Sequence, residues 1–204
     1  IKLDATFSRV EENNIHVVTF EDEEYPNLLK EISNPPAVLY VKGNLKRCNL
    51  NKTVAVVGSR RASTNGKMAL EKIIKDLANT DLCIVSGLAA GIDSTAHNCA
   101  LQNNLKTIGV IASGFDFTYP ESNRELYKMI SNEGGAILSE YYPTFEPLKF
   151  RFPERNRIVT GISYGTLVVE AALKSGALIS ANLTLEQGRE LMCVPGLITN
   201  PNTE

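Results

Sequence analysis

Apolar positions change their spacing near residue 53. Before that point the alternation Ile15-His-Val-Val-Thr-Phe20 predicts a strand, and the acidic run Glu21 to Glu24 a solvated turn. Tyr25-Pro26 opens a short helix through Ile32, and Ala37-Val-Leu-Tyr-Val41 reads as a second strand closed by Gly43. Beyond residue 53 short apolar runs alternate with amphipathic stretches. The runs Thr53–Val57, Leu82–Val85, Thr107–Ala112, Ala136–Leu138, Thr166–Val169 and Leu191–Val194 are apolar on both faces, as central strands covered by helices must be. Between the first two, Leu70, Ile73, Ile74 and Leu77 form one helical stripe, with Lys67, Glu71, Lys72 and Lys75 elsewhere on the same helix. The pattern predicts an α/β fold with a mostly parallel sheet flanked by helices. Residues 1–44 form a strand-helix-strand lead-in packed on a main domain of residues 45–204. The ending, residues 195–204, reads as a loop rather than a finished element, as expected of a domain cut short at its C-terminal end.

Composition narrows the classes. A chain of 204 residues, 43% hydrophobic, can bury one large core. It has no run of eighteen apolar residues, and its first thirty lack the basic start and apolar centre of a signal peptide, so a soluble, cytoplasmic protein is expected. A net charge of −2 argues against a generally basic nucleic-acid binder, but the charge is uneven. Residues 1–34 hold three basic residues against eight acids, a net of −5, which leaves +3 on the remainder. Any anion site is therefore a local patch after residue 34. Cys48, Cys83, Cys99 and Cys193 lack the close pairing of a metal or redox motif, and Cys83 and Cys193, inside apolar runs, read as reduced core thiols.

Two strands end in glycine turns that open helices: Val56-Val57-Gly58-Ser59-Arg60-Arg61 and Val85-Ser86-Gly87-Leu88-Ala89-Ala90-Gly91-Ile92-Asp93. Ligands of an open parallel sheet bind at the carboxyl ends of strands, where free helix N–H groups favour an anion. Both turns should face one crevice, with Gly58 and Gly87 letting backbone approach a phosphate and Arg60 adding a charged fork. Neither turn is a dinucleotide fingerprint or a P-loop, and glycines needed only for tight turns account for the same residues.

Phe150-Arg151-Phe152-Pro153-Glu154-Arg155-Asn156-Arg157 interleaves rings with cations, which suits a groove that stacks bases and neutralises backbone. A solvated loop whose phenylalanines plug the core reads equally well. On a helix Arg155 and Arg157 would diverge by roughly 200°; in an extended loop they would share a side. Lys106, just before a strand, is a third basic candidate. Asp93 and His97, four apart on a helix, should meet on one face; with no third ligand beside them, a structural hydrogen bond within the fold is favoured over a metal pair. Glu140 and Glu170 close strands; as acid–base groups they would enter the crevice, but holding an arginine or a backbone N–H is the favoured reading.

Taken in order, these segments resemble the DprA/Smf family of bacterial DNA-processing proteins. The resemblance rests on Val-Val-Gly-Ser-Arg60, Val-Ser-Gly-Leu-Ala-Ala-Gly-Ile-Asp93 with His97, Thr107-Ile-Gly-Val-Ile, Tyr119-Pro120, Leu-Ser-Glu140-Tyr, Phe152-Pro-Glu-Arg-Asn-Arg157, Val-Val-Glu170-Ala, Ser175-Gly176-Ala177 and Val194-Pro-Gly196. It spans residues 15–196 and implies an extended Rossmann-like domain that forms a homodimer, binds single-stranded DNA and hands it to RecA in DNA processing and natural transformation. It implies no cofactor, no metal and no catalytic residue. The implied DNA-binding residues are Gly58, Ser59, Arg60 and Arg61 in the first turn, Ser86 and Gly87 in the second, Lys106 as a second basic contact, and Arg155, Asn156 and Arg157 lining or bracing the same pocket. Ala90 stands where many members carry a basic or larger residue.

Gly165-Thr166 followed by Glu170 also resembles, imperfectly, the turn of enzymes that cleave nucleoside monophosphates at the glycosidic bond; here Leu167-Val168-Val169 intervenes as a buried strand. A nucleotide sensor without turnover would use the same glycine turns.

Overall fold

The computed structural model describes residues 10, 13–173 and 175–196. The loop expected over residues 197–204 lies outside the described residues, as do most of the first twelve positions.

Eight strands form one sheet in the order β1-β2-β6-β5-β4-β3-β7-β8. They are β1 (Ile15–Thr19), β2 (Val38–Gly43), β3 (Thr53–Val57), β4 (Cys83–Ser86), β5 (Lys106–Val110), β6 (Gly135–Ser139), β7 (Gly165–Val168) and β8 (Glu190–Cys193). From β6 to β8 all neighbours run parallel; β1 and β2 add an antiparallel pair to the β6 side. The lead-in is therefore an extension of the sheet.

The described helices are α1 (Asn27–Lys30), α2 (Thr64–Asp76), α3 (Ile92–Gln102), α4 (Arg124–Met129), α5 (Arg151–Gly161) and α6 (Gly176–Glu186). Because side chains alternate along a strand, each strand serves both layers. Ala55, Val57, Cys83, Val85, Ile108 and Val110 pack with Leu29 of α1, Ile158 and Val159 of α5, and Ala177 and Ala181 of α6. Val56 and Ile84 face the other way, onto Leu70 and Ile74 of α2 and Ile92, Ala96 and Ala100 of α3. The first layer also holds Val18, Tyr25, Leu39 and Val41, so the lead-in shares the main core. This is the Rossmann-like arrangement expected, and no described helix is long and apolar enough to cross a membrane.

One sequence expectation fails here, and another is met through a different partner. Cys193 is exposed, unlike buried Cys83, because β8 is the last strand in the sheet order and pairs only with β7. His97 does not bond Asp93; its Nδ1 lies 2.7 Å from Thr107 Oγ1 on β5, turning the ring inward beneath the sheet. The tertiary partner outcompetes the i, i+4 neighbour.

Candidate nucleic-acid interface

The sheet order reverses at β3. The chain leaves β3 for β4, β5 and β6 on one side and returns to β7 and β8 on the other. A crevice opens at such a switch point, outside the carboxyl ends of the strands. Here it measures about 490 Å³ and is walled by the turn after β3 (Gly58–Arg61), the turn after β4, the start of α5 and the start of α6.

The first turn is shaped by its own backbone. Arg61 N–H donates to Ser59 Oγ at 3.1 Å, and Ile92 N–H to Ser59 O at 3.2 Å, tying the turn to the first residue of α3. Gly58 is required by that proximity, since a Cβ there would lie 2.6 Å from Ile92 Cγ1. Arg60 is exposed, with its guanidinium 5.2 Å from the centre of the Phe152 ring, and Tyr119 meets the other side of this cluster at a ring separation of 5.3 Å.

The second turn is built differently. Gly87 N–H and Ala89 N–H donate to Asp93 Oδ2 at 3.2 and 3.4 Å, so they point at an internal carboxylate rather than at the open crevice. Burial raises the Asp93 carboxyl above the usual range, against the pull of the Arg155 guanidinium and these two N–H groups. Ser86 is fully buried and donates its hydroxyl to Val56 O at 2.6 Å, a tie between β4 and β3.

Arg155 and Arg157 lie on α5 and diverge, as the helical alternative required. Arg155 is 3% exposed and donates to Gly87 O at 2.7 Å and to Val110 O, so it braces the carboxyl ends of β4 and β5 from below the crevice. Arg157 leaves the crevice altogether: it forms a two-pronged pair with Glu140 at 2.7 and 2.6 Å and reaches Asn34 O at 3.0 Å. Asn156 stays in the lining, its amide donating to Gly176 O at 3.3 Å. Lys106 is at the wrong end: it begins β5 and donates to Glu133 O at 3.1 Å, a strand length of ~13 Å from the crevice.

Two residues not singled out as contacts in the sequence lie in the crevice, where Lys106 does not. Lys149 and Phe152 both line the crevice, just before and at the start of α5. Phe152 belongs to the basic–aromatic run, whose spacing does not show which members face inward, and Lys149 lies one residue before that run. Among the described lining residues Arg60, Arg61, Lys149 and Arg155 are cations and Asp93 the carboxylate. No described carboxylate lies within ion-pair distance of Arg60 or Lys149. The acidic run after β1 is five strands away from β3, about 24 Å across the sheet.

Both glutamates act as braces. Glu140 holds Arg157, while buried Glu170 accepts Ser63 N–H at 2.9 Å and the Ser63 hydroxyl at the start of α2. Ser63 Oγ in turn caps that helix by accepting Gly66 N–H at 3.0 Å.

Comparison with known proteins agrees with this architecture. The chain is 49% identical over 177 residues to DNA processing protein DprA of Streptococcus pneumoniae, covering 87% of this chain and 62% of that protein. It is 40% identical over 202 residues to protein Smf of Escherichia coli, covering 99% and 54%. The X-ray structure of the S. pneumoniae protein superposes with a TM-score of 0.89 at 43% identity, over 96% of this chain and 69% of that one. DNA processing protein A from Helicobacter pylori, a structure described for its single-stranded DNA binding mode, gives 0.80 at 33% identity, over 90% and 83%. The chain spans roughly half to two thirds of the curated relatives it matches. The family model for DNA recombination-mediator protein A matches residues 16–204, and the chain belongs to that family.

Proposed function

We propose that the crevice binds single-stranded DNA, one phosphate resting on the Gly58–Arg61 turn and a neighbouring base against the Phe152 ring. The observation that carries this reading is the placement of Arg60 and Lys149, both exposed and without an ion-pair partner among the described residues, on one crevice beside an aromatic face. Cations that track a backbone next to a ring on which bases stack are what a strand needs, and a duplex hides those base faces. Gly58, Ser59, Arg60, Arg61, Lys149, Phe152 and Asn156 make the contacts in this reading; Gly87 and Arg155 shape the wall, and Ser86, Arg157 and Lys106 make no contact. The engagement of Glu170 at the α2 cap supports binding without covalent chemistry over glycosidic cleavage, which needs that carboxylate in the crevice. The family description, recombination mediator, supports delivery of the bound strand to RecA; a cytoplasmic homodimer is part of the same proposal and rests on the family resemblance alone.

The test is fluorescence anisotropy of a labelled oligothymidine at several salt concentrations. Three or four phosphate contacts give a log–log salt slope of roughly −2 to −3, at about −0.7 per phosphate. Arg60→Ala and Lys149→Ala each weaken binding and flatten the slope. Absence of salt-sensitive binding to any strand overturns the reading, and release of free base from a nucleoside monophosphate would replace it with the enzyme.

A further inference from the structure

The turn between β4 and α3 has every part of an anion site. Its backbone is shaped by the chain's own contacts: Leu88 stands at φ 55° and Gly91 at φ 82°, and Asn123 Nδ2 donates to Leu88 O at 2.9 Å from α4's leading edge. Two N–H groups, from Gly87 and Ala89, converge on one point, and α3 begins there with its dipole directed the same way. Arg155, nine-tenths buried, adds a guanidinium from α5. The missing side chain at Gly87 is what admits both charges, because a Cβ there would lie 2.7 Å from Arg155 Nη2 and 2.7 Å from Asp93 Oδ2. The site also opens on the crevice, since Gly87, Ala89, Asp93 and Arg155 all line it.

We infer that this turn is an oxyanion-binding site which the chain occupies with its own carboxylate, Asp93, and that Asp93 thereby excludes the phosphate of a free nucleotide from the second turn of the crevice. Asp93, 8% exposed, stands where the oxygens of a bound anion would stand, accepting the same N–H groups. Arg155 acts on it first among the charges that counter its burial, with Arg60 the weaker of the two. A crevice with one turn closed in this way cannot hold a ligand by phosphates on both turns at once. It accepts a ligand that offers one phosphate to the Gly58–Arg61 turn and extends the rest of itself outward. The inference needs no DNA, so it stands or fails separately from the strand-binding proposal.

Removing the carboxylate while leaving its cradle should create a site for a small anion. Thermal unfolding of wild type, Asp93→Ala and Asp93→Asn is followed in sodium formate against sodium chloride at matched ionic strength. Asp93→Ala, with the N–H pair unoccupied and the Arg155 guanidinium still held beside it by Gly87 O and Val110 O, recovers stability in formate along a saturable curve, by about 3–6 °C at a concentration tenfold above its dissociation constant. Wild type and Asp93→Asn, in which the side chain still fills the space, move by less than about 1 °C. Equal shifts in all three proteins overturn the inference. If Asp93→Ala does not fold in chloride, refolding of that variant and of Asp93→Ser becomes the readout. Folded protein in formate alone supports the site, and failure of both variants in both salts overturns it.

Discussion

Arg60 and Phe152 meet across the crevice, guanidinium 5.2 Å from ring centre, although one belongs to the turn after β3 and the other to the first turn of α5. The contact sets the guanidinium against the ring on the wall of the crevice, where the proposed phosphate would bind. The ring cannot neutralise the charge as a carboxylate would, so the arginine remains a full cation toward a ligand.

The two residues should act as a unit. Arg60→Ala loses a phosphate contact, and its log–log salt slope becomes shallower by about 0.7. Phe152→Ala weakens strand binding by about 1–3 kcal/mol with little change in slope, because it removes stacking rather than charge. In the double variant the losses should fall short of their sum by about 0.5–1 kcal/mol, the worth of an exposed cation–π pair. Strictly additive losses by anisotropy would show that the ring does not orient the arginine.

Lys106 and Lys149 make a sharper comparison, since both are lysines and only one lies in the crevice. Lys149→Ala should weaken oligothymidine binding severalfold at moderate salt. Lys106→Ala should leave it within about twofold, the residual effect of one charge beyond the ~8–10 Å screening distance. The reverse ranking would place the strand at the amino ends of the strands and refute the site.

Arg157 should matter for stability alone. Its pair with Glu140 is mostly shielded, each side chain 16% exposed, and its third bond to Asn34 O ties α5 to the lead-in. Desolvation is the largest single influence and pulls the guanidinium's pKa down, but the Glu140 hydrogen bond and charge, with Tyr141 and Glu154, together outweigh it and leave the pKa raised. Arg157→Ala should cost about 1–3 kcal/mol in urea unfolding, between exposed and buried pairs. Its affinity for DNA should stay within twofold of wild type; a large loss would return Arg157 to the interface.

Much of this was legible in the residues. The predicted run Thr53–Val57 coincides with β3, and the other central strands differ by a residue or two at their ends, because an apolar stretch covered on both faces has no other stable place. The misplacement of Lys106 was also readable: a residue before a parallel strand is at its amino end, opposite the glycine turns. Other features depend on tertiary partners that spacing does not reveal. Asp93 was visible as a helix-opening acid, but its occupation of the Gly87 and Ala89 N–H groups follows from the bend at Leu88, a left-handed residue that is not a glycine. Likewise the apolar run around Cys193 looks like a core strand until the sheet order puts it on the edge.

Buried His97 gives the fold a defined response to acid. The Thr107 hydroxyl donates to Ile84 O at 2.8 Å and so accepts from the ring, which places the proton on Nδ1 of a neutral imidazole. Burial first, then the charge of Arg155, pushes its pKa down to about 3, whereas in the unfolded chain it titrates at about 6.5. Between those values the unfolded state binds a proton that the native state refuses. The stabilisation is therefore complete above about pH 6.5 and is lost as pH falls, at up to about 1.4 kcal/mol per pH unit. Asp93, raised by burial, works in the opposite direction, because the native state keeps its proton to higher pH. Comparison with His97→Asn separates the two, since Asp93 and the exposed His16 remain in both proteins. The variant should be less stable at pH 7.5, having lost a fitted side chain, yet its unfolding midpoint in urea should fall less steeply between pH 6.5 and 4.5, so that the two curves converge. Parallel curves over that range would mean that His97 takes up its proton in the native state as readily as in the unfolded one.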